Sequence, residues 1–148
     1  MDDAVRRDDE MATTRLLDAP RERVFRAFSV AEHLAQWWGP NGFTNTFHEF
    51  DLRTGATWRY TMHGPNDADF LNESVFVEVL APQRIVIEHV SAPRFQLTIT
   101  LVPEAGKTRL TWRQRFPSAA ECDKIRALAV PANEQNLDRL QARLAAMG

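Results

Sequence analysis

A histidine and a carboxylate on neighbouring strands are the residues of this chain best suited to acid–base work. His89 shares strand parity with Ile85 and Ile87, and Glu73 shares it with Val75, Val77 and Val79. Residues of one parity face one side of a sheet, so both are expected to point inward. A carboxylate beside an imidazole tunes it toward neutral pH. A cyclase or dehydratase needs such a pair in a shaped pocket. Three amides are expected on the same side. Gln114 lies between Trp112 and Phe116, Asn133 stands four residues before Leu137, and Asn136 four before Leu140. Each polar group buried without a partner costs about 1–3 kcal/mol, so five are more than a dry core tolerates. They read either as a network that satisfies itself or as the polar contacts of a ligand cavity.

The apolar residues of the inward face offer the wall of such a cavity. Trp58, Tyr60 and Met62 alternate with Arg59, Thr61 and His63, while Phe95 and Leu97 alternate with Gln96 and Thr98. Trp112 continues the set on a later strand, and Leu137 faces it from the last helix. A filled core is the competing reading. The tandem Trp37-Trp38 ends a short amphipathic run. Successive helix positions differ by about 100°, so one indole can be core while the other lines the mouth.

Other chemistries find no support. His33, His48, His63 and His89 have no short metal-ligand spacing, so no metal is expected, nor any cofactor. There is no phosphate-cradling glycine loop and no nucleophile elbow. Cys122 sits between Glu121 and Asp123, which disfavour a thiolate. Arg109, Arg113 and Arg115 form a row on the outer face, read as solvated sheet or as a dock for an acidic partner.

These residues need elements to position them. Residues 11–17 read as a first strand, and Asp18-Ala19-Pro20 opens a helix whose face is Val24, Phe25 and Phe28. Ser29 and Glu32 have capping-box spacing for a second short helix, which Gly39-Pro40 stops. From Phe43 the period becomes two, giving strands over 43–52, 55–62, 70–79, 84–90, 95–103 and 107–116. Ser118 and Glu121 cap another helix. Pro131 is expected to interrupt it and to begin a final helix carrying Leu137, Leu140 and Leu144. The order is α+β, with a curved antiparallel sheet of about seven strands.

The chain of 148 residues fits one domain, 11–148, after a flexible leader, 1–10, that lacks the apolar run of a signal peptide. Its 18 basic and 20 acidic residues argue against nucleic acid as a partner. No apolar run reaches the roughly 18 residues of a membrane span. A lone cysteine cannot close an internal disulfide, which points to a reducing, cytoplasmic setting.

Several motifs together resemble one family. They are Ala19-Pro20-Arg21-Glu22-Arg23-Val24-Phe25, Trp37-Trp38-Gly39-Pro40, Gly55 before Trp58, Met62-His63-Gly64-Pro65, and the terminal Asn133-Glu134-Gln135-Asn136-Leu137. The chain resembles the heat-shock-protein-90 ATPase activator homologue family of the START/SRPBCC superfamily over about residues 11 to 147. The resemblance implies a helix-grip fold, in which the sheet wraps a long C-terminal helix around a cavity for apolar ligands. It implies a small apolar or lipid-like molecule as partner and no assigned catalysis. A polyketide cyclase-like enzyme, with His89 and Glu73 as its candidate pair, and a chaperone-interaction module are the alternatives. The resemblance is also compatible with a homodimer.

Overall fold

The computed structural model describes residues 8–147. Of the expected leader, residues 1–7 lie outside the described residues, and Glu10 is already the first residue of a strand. The chain runs β1 (Glu10–Leu17), α1 (Arg21–Ser29), α2 (Ala31–Trp37), β2 (Thr44–Glu49), β3 (Thr57–His63), β4 (Asp69–Leu80), β5 (Arg84–His89), β6 (Phe95–Glu104), β7 (Lys107–Arg115) and α3 (Ala119–Met147). Every strand pairing is antiparallel, in the order β1-β7-β6-β5-β4-β3-β2. This is the helix-grip α+β architecture. β1 pairs with β7, so the first and last strands lie side by side at one edge of the sheet.

Two register shifts, at Phe47/Glu49 and Phe76/Glu78, interrupt the ladder. An extra residue bends a strand and strengthens its twist, and here it curves the sheet around α3. The concave face carries Trp58, Tyr60, Phe76, Ile85, Ile87, Leu97, Ile99, Leu110 and Trp112, all buried. Leu137, Leu140 and Leu144 of α3 close over them and are equally buried. A smaller cluster of Met11, Phe116 and Cys122 lies under the first turns of α3.

Two expected helix signals act differently in the fold. Ser29 ends α1 rather than capping α2: its Oγ reaches back to the Arg26 carbonyl, and Val30 is the residue before α2, without a side-chain cap. The gap between the helices is one residue, too short for the Ser29–Glu32 box to form. Pro131 does not start a new helix. α3 runs through it without a break, although proline has no N–H to donate to the Ala127 carbonyl one turn back. The Ser118 cap does form, with its Oγ accepting the Glu121 amide at 3.1 Å.

Gly39 ends the α2 segment at φ +101°, a left-handed backbone that favours glycine. A Cβ there would stand 2.6 Å from the Met62 methyl, so the site is closed to larger residues on steric grounds too.

Candidate functional site

Strand register lays the concave face out in rows. One row runs Trp58, Ser74, His89 and Phe95 across β3, β4, β5 and β6. The next runs Ile87, Leu97, Gln114 and Met11, and a third runs Ile85, Ile99, Trp112 and Thr13. Polar side chains are therefore concentrated at one end of a wall that is otherwise aromatic and aliphatic.

The adjacent indoles part company. Trp37 is core: it is fully buried, its Nε1 donates to the Ala27 carbonyl at 3.0 Å, and Phe28 meets it edge-on. Trp38 turns to the interior, where its Nε1 donates to the Tyr60 hydroxyl at 3.1 Å. Its ring lies 5.0 Å from Trp58 and 5.6 Å from Trp112, centroid to centroid. Trp58 in turn is stacked between Tyr60, at 4.4 Å, and Phe76, at 5.7 Å. Burial pushes the Tyr60 phenol far above its ordinary value, so it stays neutral and keeps its proton.

His89 is 4 % exposed and stacks flat on half-buried Phe95, with ring centres 4.6 Å apart. Nδ1 donates to the Pro93 carbonyl at 2.7 Å, and Nε2 lies 2.7 Å from Asn72 Oδ1. Burial lowers its pKa, while bonds to backbone at Pro93 and Ser91 and the charge of Glu88 oppose that shift. With the amide oxygen toward the ring, Nε2 must carry a proton. With the amide turned, its NH₂ serves a neutral ring and gives up its bond to the Phe70 carbonyl. Protonation of His89 and orientation of Asn72 are thus coupled.

Glu73 is corrected by the structure. It is exposed on the convex face, while Asn72 and Ser74 point inward. The bulge at Phe76/Glu78 is the cause: half-buried Val79 packs on the core, and extending its parity backward through the bulge picks the wrong face. Glu73 and His89 are not brought together, so the expected acid–base pair is absent from the described residues. Asn72 and Ser74 are the residues that sequence reading missed. Their signal was two small polar residues flanking Glu73 in a strand of large apolar ones.

The helix amides divide between two tasks. Asn133 donates to Gln114 Oε1 at 3.0 Å, joining α3 to β7 across the interior. Asn136 instead donates to the Trp37 carbonyl at 2.8 Å and closes the end of α2. Arg139, also missed, does most of that closing. Its guanidinium bonds the carbonyls of Gln36, Trp38, Gly39, Pro40 and Phe43 at 2.8–3.3 Å. Leu137 is fully buried and Met62 half-buried at this end.

A cavity of about 100 Å³ opens between β1, β7 and α3, lined by Met11, Trp112, Val130 and Asn133 among others. Trp112 Nε1 is fully buried and has no partner; the same holds for Trp58 Nε1 and Ser74 Oγ. A shallower depression of about 230 Å³ lies outside the grip, where Arg94 and Arg115 stand beside Glu88 and Phe116. The outer arginines each have a carboxylate: Arg109 meets Glu104 at 2.9 Å, Arg113 meets Glu10 at 3.3 Å, and Arg115 meets Asp9 at 3.4 Å. Burial raises the Cys122 thiol, which keeps it protonated.

Comparison with known proteins agrees with the architecture. The family model described as activator of Hsp90 ATPase homolog 1-like protein matches residues 18–145. A Nitrosomonas europaea crystal structure superposes with a TM-score of 0.89 at 20 % identity, covering 97 % of this chain and 98 % of that one. A Chromobacterium violaceum structure gives 0.78 at 27 % identity, covering 90 % and 95 %. A Silicibacter pomeroyi protein called AHSA1 gives 0.78 at 19 %, covering 94 % and 99 %. No curated protein matches the chain. No helix among the described residues is long and apolar enough to cross a membrane.

Proposed function

The chain belongs to the family of activator of Hsp90 ATPase homolog 1-like proteins, and from that premise we propose that it is a binding module for a small apolar ligand held between α3 and the concave sheet face. The observation that carries this reading is Trp112. Its indole lines the cavity under α3, and its fully buried N–H has no partner. An unpaired buried donor costs about 1–3 kcal/mol, a cost that a bound acceptor would remove.

The cavity of about 100 Å³ is smaller than the roughly 300–1,000 Å³ usual for drug-sized ligands. It accepts one ring or a short alkyl end. The first half of α3 is the wall able to yield further, because only Cys122 there is buried. Apolar burial supplies the affinity, at about 25 cal/mol per Å², and the amides and indole donors orient the guest.

Titration with an uncharged, environment-sensitive apolar dye tests this reading. Saturable dye emission, with parallel quenching of tryptophan fluorescence, is the expected result. Emission that never saturates, with unchanged tryptophan fluorescence, would remove the ligand-binding reading.

A further inference from the structure

We infer that the convex face of the sheet carries a second site, at which the Thr46 hydroxyl accepts an acyl group from an activated ester with His63 as its base. Trp58 and Tyr60 are buried on the concave face, so Thr61 and His63, at the other parity of β3, face outward. Register sets Thr44, His63 and Asp69 in one row across β2, β3 and β4, and Thr46, Thr61 and Leu71 in the next. His63 is thereby met from both sides. Thr46 Oγ1 lies 2.7 Å from its Nε2, and Asp69 Oδ1 lies 2.7 Å from its Nδ1.

This arrangement sets the role of each group. An ionised carboxylate only accepts, so Nδ1 carries the ring proton toward Asp69. Nε2 of the neutral ring then accepts from the Thr46 hydroxyl. The order is hydroxyl, imidazole, carboxylate, a nucleophilic triad that is recognised by geometry and roles and not by fold. A polar ladder that merely ties the strands together does not need the carboxylate, as the neighbouring pair shows. His48 Nε2 meets Thr61 Oγ1, also at 2.7 Å, but no carboxylate among the described residues bonds its other nitrogen. One hydroxyl–imidazole pair on this face is oriented by an aspartate, and the other is not.

Access favours the same pair. Thr46 is exposed on the outermost strand, while Thr61 is half-buried. Leu71, 63 % exposed in the Thr46 row, offers an apolar footing for an acyl group. A hydroxyl open to water suits acyl groups carried on a good leaving group, such as a phenolate. In the step, a bond forms from Thr46 Oγ1 to the acyl carbon as the hydroxyl proton passes to Nε2. The bond from that carbon to the phenolic oxygen then breaks, and the leaving phenolate takes the proton from the imidazolium. Thr46 is left as an ester, and His63 returns to its neutral form.

The probe is p-nitrophenyl acetate, added to the intact protein. Nitrophenolate release gives the rate, and peptide mass spectrometry locates the acetyl group. A burst is expected, with acetyl on Thr46 that hydroxylamine removes, as it does from esters and not from acetylated lysines. Thr46→Val should abolish the burst and Thr46→Ser should keep it. Both are surface changes and should melt with the wild type. His63→Ala should slow acetylation of Thr46 at least about 100-fold, the lower end of what a general base contributes. Asp69 touches only the imidazole and is a positioning residue. Asp69→Asn should lower the maximal burst rate and leave unchanged the ester concentration that gives half of it. Thr61 is the internal control, and its acetylation should lag far behind. Acetyl groups confined to Lys107, Lys124 or the chain terminus would overturn the inference. Equal rates at Thr46 and Thr61, or a Thr46 rate that His63→Ala leaves intact, would do the same. None of these outcomes touches the ligand-binding reading, which concerns the opposite face of the sheet.

Discussion

The two ends of the grip are held by different means. At the closed end, the last four turns of α3 bury Leu137, Leu140 and Leu144 against Trp37 and Phe28, which anchor α1 and α2. Charged groups tie the same stretch down on both flanks. Arg139 spans five carbonyls in and just after the last turn of α2, Arg15 of β1 reaches Glu134, Asp138 and Gln141, and Arg143 meets His33. At the other end, residues 119–130 bury only Cys122 and leave Leu128 77 % and Val130 44 % exposed. Pro131 stands at the junction and omits one helical hydrogen bond there. The cavity, with Val130 and Asn133 in its lining, straddles that junction. The lesson is that one continuous helix does two jobs: its rear half fixes the fold, and its front half covers the site with little hold on it.

Truncation should separate the halves most strongly. Leu140→Ala removes a fully buried side chain at the closed end and should cost about 2–5 kcal/mol. Leu128→Ala, on the exposed front half, should stay within about 0.5 kcal/mol. Urea denaturation of both variants measures the contrast. Similar losses at the two positions would break it, because they would mean that the front half is docked as firmly as the rear.

Arg139 gives the next largest effect. Lysine keeps the charge but not the planar fork that serves several carbonyls at once. Arg139→Lys should therefore still lose about 2 kcal/mol, close to the loss in Arg139→Ala, since carbonyls at the α2 terminus are left unsatisfied. Full rescue by lysine would show that charge at the helix end, and not the shared hydrogen bonds, is what holds the closed end together.

The same contrast explains what could be read from sequence. The strands were legible because Trp58/Tyr60/Met62, Phe95/Leu97/Ile99 and Leu110/Trp112/Gln114 alternate cleanly, and Gly55, Pro82 and Gly106 mark their ends. Family motifs carried the topology, which periodicity alone does not give. The polar end of the site was legible in part. His89 and Gln114 face inward, as their strands run regularly. Glu73 was misplaced by the bulge, a local event that shifts parity without a residue type to announce it. Arg139 was hidden for another reason. Its partners are carbonyls of a loop about a hundred positions away, and a backbone acceptor leaves no mark in the sequence. Pro131 looked like a boundary because propensity favours one there, but packing of Leu137 and Leu140 carries the helix onward.

The smallest predicted effect lies at the loosely held end, and its sign follows from His89. Burial lowers its pKa from the ordinary 6.5, against the opposing pull of the Pro93 and Ser91 backbone and of Glu88. Phe95 covers one ring face and Asn72 meets Nε2, so no carboxylate bonds the imidazole directly. Between the lowered value and 6.5 the unfolded chain binds a proton that the folded chain refuses. Stability should therefore rise with pH through that window and be lost as pH falls below 6.5. The informative quantity is the difference between the wild type and His89→Gln, followed by urea denaturation from about pH 7.5 down to about pH 5. The variant should show a shallower decline. An unchanged slope would mean that folding does not alter proton binding at His89, and a steeper decline in the variant would mean that Asn72 keeps its oxygen toward a protonated ring and that His89 enters the fold as a cation.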